Sequence, residues 1–582
     1  MKWPRCSIFS SVVLALFAAV VCVVPVFAQQ NAGPSSGVVD DWTHHHVFFS
    51  DPGTQMDAVM NGRRDEWQRI VNDPRYRLQL IKRRAALTAR TDGPTPLDSD
   101  ETQDGGPMKR DWSVTLGTSG VSVALGMYPT KYTFAPVAAP SCTNDFVVYP
   151  VNVAGNRLLQ ANVVGVTNLY KGTCSGTVPT VLFAYYVGTG RIRTSPVLSL
   201  DGNKVAFVES RNSGDSIFHV LTLDKSGNSG CPFSSPCNGS SFDPPAVPGV
   251  HNSAVDTAVT MSGSGNVAVT RSSPYVDYGH DVAYVGDNEG RLHKFTGVFD
   301  GTPAEVTTSP WPFTVASGVT LTGPTYDSVS GNIFVGGSDG NLYCVTSAGR
   351  FCSTKSIAVG NGSGTAGAIL DAPIVDSTTQ MVFAVANNGS NAILSQSTTE
   401  LGSQTKVTMG RRGNSLYDGA FDNLYYTNIS SGHMYVCGNA EGSTTPTLWR
   451  VGFRSNGTID TSNDGSSFTL ADATGVNCSP LTEVYNGNEN EDYLFLGVSG
   501  HGFTSGRNNC GGTACLASFV LPASGNSVPT AASATMTSTY TGTTGPSGII
   551  VDNVSGTNGA SQVYFGAPTL NLGVQASQSG LH

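Results

Sequence analysis

Residues 322–345, TGPTYDSVSGNIFVGGSDGNLYCV, recur in varied form along most of the chain, and this recurrence constrains the fold more than any other feature. Within the unit, Gly323-Pro324 leads into a short apolar run that ends in Asp327. A turn with Ser330-Gly331-Asn332 follows, then a run from Ile333 to Gly337, a Ser338-Asp339-Gly340 turn, and a last run to Val345. Two apolar runs joined through Asp-Gly form a hairpin, because glycine supplies the positive φ that a tight turn between twisted strands requires.

Clear copies stand at 195–209 (SPVLSLDGNKVAFVE), 372–386 (APIVDSTTQMVFAVA), 419–439 (GAFDNLYYTNISSGHMYVCGN) and 548–566 (GIIVDNVSGTNGASQVYFG). Each closes its first run with an aspartate: Asp201, Asp327, Asp376, Asp422 and Asp552. More divergent copies are expected at 256–270 and 479–497. Asp327 and Asp376 are 49 residues apart, and Asp376 and Asp422 are 46. A period of that length with several strands per unit predicts sheets arranged radially, not a helical solenoid. The expected fold class is therefore all-β: a single β-propeller of about eight four-stranded blades, alternatively seven, preceded by a short helical arm. The expected blades are 131–190, 191–250, 251–317, 318–367, 368–413, 414–475, 476–545 and 546 onward.

SPVLSLDGNKVAF resembles the WD40-like repeat of TolB-type propellers, and NIFVGGSDGNLYCV is similar to the repeat of pyrroloquinoline-quinone-type propellers. The chain also resembles secreted, functionally uncharacterised propeller proteins of soil bacteria, notably in DWTHHHVFFSDPGT near its start. These resemblances imply the fold and say almost nothing of function.

Only 13% of residues are charged and 68 are glycine, the composition of a turn-rich extracellular β protein. The net charge of -10 is diffuse, which argues against nucleic acid as a partner. Residues 1–28 read as a signal peptide: Lys2 and Arg5, then an apolar run, then Val26-Phe27-Ala28, with an uncleaved anchor as the alternative. The expected location is secreted, periplasmic or at the cell envelope. Once Cys6 and Cys22 are set aside, ten cysteines remain, an even number that suits an oxidising compartment. Their spacing suggests the disulfides Cys142 with Cys174, Cys231 with Cys237, Cys344 with Cys352, Cys437 with Cys478, and Cys510 with Cys515. No C-x-x-C pair occurs, so no zinc site or redox dithiol is expected.

Residues 29–110 are expected to form an N-terminal extension, and 111–582 the propeller. Within the extension, 29–39 read as a polar leader and His44-His45-His46 as an exposed or aromatic-packed segment, a shared metal at His44 and His46 being the alternative. Helical spacing marks 54–90, with Asp73-Pro74 as a cap for a second, basic helix bearing Arg75, Arg77, Lys82, Arg83 and Arg84. That helix is expected to pack its apolar side on the propeller and solvate its arginines; the alternative is contact with an anionic envelope surface. Residues 91–106 read as a linker. Strands at 112–116 and 121–125 are expected to close the ring by pairing with the last blade near 548–572, which removes an open sheet edge.

Ligands of propellers sit where the loops entering each blade converge. The expected loops offer Arg191, Arg193, His251, Asp256, Asp371, Arg411, Arg412, Asn414 and Asn477. Arginines gathered with a histidine can grip a carboxylate or a sulfated or uronic sugar. Enzyme signatures are weak. Quinone dehydrogenases use adjacent cysteines and tryptophan-bearing docking repeats, and this propeller has no Cys-Cys and only Trp311 and Trp449 in its repeats. In Ser462-Asn463-Asp464-Gly465 the glycine follows the aspartate directly, which departs from the sialidase Asp-box. G-x-S-x-G occurs at 33–37, in the polar leader, and at 336–340, in a hairpin turn, but neither reads as a strand-to-helix nucleophile elbow, and no H-E-x-x-H helix occurs. The expected function is a non-catalytic binding or scaffold module for a protein or glycan, acting as a monomer without cofactor or metal. The alternatives are a polysaccharide lyase or hydrolase using His251 with Arg411 or Arg412, and a quinone-dependent oxidoreductase.

Overall fold

The computed structural model describes residues 37–88, 108–117, 123–136, 139–211, 214–226, 230–232, 244–263, 270–361, 367–460, 467–487, 489–504, 509–522, 528–554 and 562–577, without the side chains of 84–88 and 540. The expected signal peptide, the 91–106 linker, Cys6, Cys22 and Cys237 lie outside these residues.

Eight antiparallel sheets follow one another in chain order. Their innermost strands are Thr130–Thr133, the pair Arg191–Ile192 and Val197–Leu198, Tyr275–Asp277, Thr325–Asp327, Ile374–Asp376, Ala420–Phe421, Thr482–Asn486 and Ile549–Asp552, for blades one to eight. The outermost strand of blade eight comes from far upstream: Lys109–Thr115 pairs antiparallel with Leu572–Ser577. The two ends of the propeller thus share one sheet, and Trp112 reaches across to donate its indole N–H to the Leu169 carbonyl of blade one at 2.8 Å. The second closing strand expected at 121–125 is not formed over 123–125.

The marker aspartates owe their place to two duties. Asp327 accepts hydrogen bonds from Val329 and Ser330 in its own turn, and from Gln380 Nε2 of the next blade at 2.9 Å. Asp376 likewise takes Thr378 and Thr379 locally and the Tyr425 hydroxyl of blade six at 2.9 Å. Asp552 of blade eight meets Lys131 of blade one at 2.6 Å, with side chains 4% and 1% exposed. Each carboxylate therefore caps a turn or ties one blade to the next. Between blades the core is apolar and aromatic, and Phe334, Tyr343, Phe383 and Tyr435 are all buried in it.

One blade boundary differs from expectation. The run at 256–270 is not a repeat: Val255–Thr260 is the outer strand of blade two, and the true copy is 273–296, SPYVDYGHDVAYVGDNEGRLHKFT, which begins blade three with Asp277 at its marker position. In blade two, His219 is held at 3.0 Å by Asp256 and at 3.3 Å by Glu209. In blade three, His293 lies in the same way between Glu305 at 2.6 Å and Asp287 at 3.2 Å. Burial opposes charge on both rings, but the flanking carboxylates win; His219 is pushed up to about 9 from the ordinary 6.5, and His293 moves in the same direction. A raised folded-state pKa gives stability that is complete below pH 6.5 and is lost as pH climbs through about 9. The melting temperature should therefore fall across that window, and His219→Gln with His293→Gln should flatten the fall. An unchanged slope in the double variant would contradict the assignment.

Four of the expected disulfides are present. Cys142–Cys174 staples blade one, Cys344–Cys352 the outer hairpin of blade four, Cys437–Cys478 joins blade six to blade seven, and Cys510–Cys515 closes a loop of blade seven. Cys231 is also disulfide-bonded.

The N-terminal segment departs most from expectation, since it is part of the propeller's centre. Val38–Asp40 pairs with the innermost strand of blade one, and Val47–Phe48 pairs in parallel with that of blade five. The end of the polar leader is thus a strand. Between the two lies a one-turn helix, α1, Thr43–His46. Three helices follow: α2 (Gln55–Met60), whose Thr54 and Asp57 form a reciprocal cap, α3 (Arg64–Asn72) and α4 (Pro74–Thr88). They rest on the turns that follow the inner strands: Arg63 donates to the Thr378 carbonyl, Arg69 to that of Val329, and Arg83 to Asn423 Oδ1.

The basic helix exposes Arg77 but turns Arg75, Lys82 and Arg83 onto the propeller. Arg75 is 2% exposed, with Nε on the Thr43 hydroxyl at 2.6 Å, Nη2 on the Val276 carbonyl at 2.8 Å, and its plane 4.4 Å from the Tyr275 ring centre. Lys82 bonds Asp40 and the Val551 carbonyl, and Arg83 also faces Glu483. The expectation of solvated arginines is corrected at Arg75 and Arg83, which with Lys82 bind the propeller itself. Among the described residues, no helix is long and apolar enough to cross a membrane.

Candidate functional site

The loops entering blades one to six surround a cavity of about 900 Å³ on the side of the ring away from α2, α3 and α4. Its floor is the chain's own N-terminal segment. Trp42 donates its indole N–H to the Pro274 carbonyl at 3.2 Å and lies against Gly323, where a Cβ would meet the ring at 3.1 Å. Trp42 also packs against His46, with ring centres 5.2 Å apart. Beside them Tyr128 is stacked on His45 at 4.6 Å. The channel is closed at this depth, so the site is a cup.

One side of the cup is basic. Arg193 stands between the two short inner strands of blade two, with Nε donating to Asn152 Oδ1 at 3.0 Å. Its guanidinium is pushed down first by burial and then by the neighbouring cations Arg191 and Arg271. Three guanidiniums thus crowd one sector, and Arg193 and Arg271 line the cavity.

Three blades round the ring, the wall is acidic. Asp371 precedes the inner strand of blade five, accepts from the Ala372 amide at 2.9 Å and lies 3.5 Å from His46 Nε2. Its Oδ2 accepts from the Asp418 amide at 3.4 Å. Asp418 itself is 3% exposed, and its carboxylate has no side-chain partner, the Val385 backbone being the group that favours its ionised form. Burial raises both carboxyls; His46 and the backbone amides offset this at Asp371, whereas the adjacent Asp371 charge drives Asp418 well above the usual range. Both carboxyls are thus raised, Asp418 the more strongly, and Asp371 is the member that lines the cup.

Of the residues singled out from sequence, Arg193 and Asp371 line this cavity, and Arg191 borders it through Arg193. The others lie elsewhere. His251 is exposed, at φ 59°, in the loop before the outer strand of blade two. Asp256 sits on that strand against His219. Arg411 and Arg412 donate to the Gly442 and Gly389 carbonyls. Asn414 is buried and donates to Asn439 Oδ1 and the Thr444 carbonyl, and Asn477 accepts from the Ser415 amide. These are loop staples. Arg271, Tyr128, Trp42 and His46 were not singled out for the site. The histidine cluster does not converge on one point, since α1 turns His44 toward Asp40 and Asp41 and His46 toward Asp371. Among the described residues, no three His, Cys, Asp or Glu side chains are placed to hold a metal.

Fold and cavity together define an eight-bladed β-propeller whose N-terminal segment pairs with inner strands of blades one and five beside a cavity at the mouth made by the blade-entry loops. No family model and no curated protein matches the chain. Among solved structures it is similar to BamB from Moraxella catarrhalis, at 10% identity over 82% of this chain and 99% of that one, with a TM-score of 0.41. It is also similar to Sqt1 from Chaetomium thermophilum, at 11% identity, 82% and 99% coverage and a TM-score of 0.47. For the C-terminal WD40 domain of Sif2 the figures are 9%, 81%, 98% and 0.43. The eight strand ladders, not these likenesses, define the fold.

Proposed function

We propose that this chain is an exported, non-catalytic binding module that seats part of a protein or glycan ligand in the mouth, where Arg193 and Arg271 grip an acidic group. The observation that carries the reading is the cup: about 900 Å³, within the range of ligand sites, with paired guanidiniums on its wall and a rigid aromatic floor. Export is supported by disulfide bonding at Cys231 and four further cysteine pairs, since such bonds persist in oxidising compartments. The module acts as a monomer. The lyase or hydrolase reading has lost its residue set, because His251 stands on blade two, and Arg411 and Arg412 at blade five bond backbone carbonyls.

The test is capture of acidic peptides and uronate or sulfated oligosaccharides on arrays, followed by titration of the best binder with wild type and with Arg193→Ala/Arg271→Ala. A loss of at least about tenfold, corresponding to about 1.4 kcal/mol, is expected, together with weaker binding at high salt and no released product. Unchanged affinity in the double variant, or turnover of the bound polymer, would contradict the reading.

A further inference from the structure

We propose that the occupant of the mouth is an extended peptide carrying one cationic and one anionic side chain, the anion on Arg193 and Arg271 and the cation on Asp371. This rests on the reading of the mouth as the binding site and deepens it by naming the ligand's chemistry. The two charged sectors share one cavity, Arg193 three blades and Arg271 two blades from Asp371, and neither arginine is among the groups that shift Asp371. A ligand with a single sign of charge would satisfy one sector and face repulsion or desolvation at the other. The rest of the lining is mixed, with Leu125, Met127, Leu321 and Ile369 interspersed with hydroxyl side chains such as Ser273 and Ser338. That surface suits a peptide backbone with side chains better than a uniformly hydroxylated sugar chain.

The acidic sector has the marks of an incomplete site. Asp418 is buried with no side-chain partner and only the Val385 backbone favouring its ionised form, and His46 Nδ1 is buried without a partner beside it. A buried carboxyl left so costs free energy that a structural role does not explain. Asp371 stands between Asp418 and the cavity, so a cation seated on Asp371 acts on both carboxyls. It favours their ionised forms against the burial that raises both, so cation binding is linked to proton release from the pair. The titratable and charged groups facing the pair are His46 from α1, Tyr128 from the entry to blade one, and Tyr417 on the approach to blade six, with Arg271 acting on Tyr417 from blade three. Binding is accordingly tighter at higher pH and releases protons.

The probe is a series of peptides with one lysine and one glutamate separated by none to three glycines, acetylated and amidated at the ends so that only side chains carry charge. Titration by calorimetry uses the full chain in two buffers of different ionisation enthalpy. One spacing is expected to bind best, and Nε-acetylation of its lysine to weaken it at least tenfold. Asp371→Asn should cause the same loss and cancel the effect of acetylation, while Asp418→Asn should bind yet release fewer protons. Wild-type protein with acetylated peptide gives the cation readout even if a variant fails to fold. Arginine-dependent binding that is indifferent to acetylation and to Asp371→Asn overturns this inference alone. Binding of a matched amino-sugar and uronate oligosaccharide in place of every peptide also overturns it. Indifference to Arg193→Ala/Arg271→Ala as well would overturn the mouth reading with it.

Discussion

Replacing Arg75 by alanine is expected to cost about 3–5 kcal/mol of unfolding free energy, the largest loss from any single substitution in the N-terminal segment. The side chain is 2% exposed, and it bonds the Thr43 hydroxyl and the Val276 carbonyl while stacking over Tyr275 and Tyr278. Asp73, 3.8 Å away, is pulled toward its neutral form by burial and back toward its ionised form by this guanidinium. Removing the cation strands a buried carboxylate and two acceptors at once. Lysine should recover less than half of the loss, since one ammonium cannot reproduce a fork that bonds in two directions and stacks on a ring. Urea unfolding of wild type, Arg75→Ala and Arg75→Lys checks this. A loss under about 1 kcal/mol for the alanine variant would mean that the segment is not fixed to blade three as described.

Breaking the Lys131 and Asp552 pair should be nearly as damaging, because it lies where the ring closes. Both side chains are buried, their charged atoms are 2.6 Å apart, and Lys131 also donates to the Thr133 hydroxyl at 2.6 Å. Lys131→Met leaves Asp552 buried with only the Tyr170 hydroxyl at 3.4 Å from its carboxylate among neighbouring side chains, at an expected cost of about 3–5 kcal/mol. Lys131→Met/Asp552→Leu should be less destabilised than either single variant, since an apolar pair needs no compensating charge. Additive losses in the double-mutant cycle would refute a direct buried pair.

The blades were legible in sequence because each hairpin carries its own turn signal and each marker aspartate has a local job. Asp327 caps its turn through Val329 and Ser330, and such a bond is encoded within a few residues. Blade three is harder to place, because VDTAVTMSGSGNVAVT at 255–270 also alternates and contains a turn and so competes with the true copy at 273–296. Taking the competitor as the repeat places His251 and Asp256 at the mouth and leaves Arg271 out. Four cysteine pairs were legible because each joins segments at most 41 residues apart.

The N-terminal plug was not legible. Its bonds join Ser50 to Asp376, Trp42 to Pro274 and His46 to Asp371, over hundreds of residues, and no periodicity reports a contact of that separation. The clue in hand was the basic helix itself. Five cations on 75–84 read as a solvated or surface-seeking face, yet propeller channels expose carbonyls and carboxylates at the ends of their inner strands, and Arg75, Lys82 and Arg83 bind such groups. Burial reverses the usual meaning of a charged helix where the partner surface supplies acceptors.

Residues 38–48 lie inside the ring and floor the mouth, a placement that amide hydrogen exchange tests directly. In the wild-type protein, peptides covering 38–48 should exchange as slowly as those covering 374–376 and 549–552, the inner strands, and Arg75→Ala should release them first. Exchange of 38–48 within seconds in the wild type, as in a free chain, would contradict the plug and with it the cup.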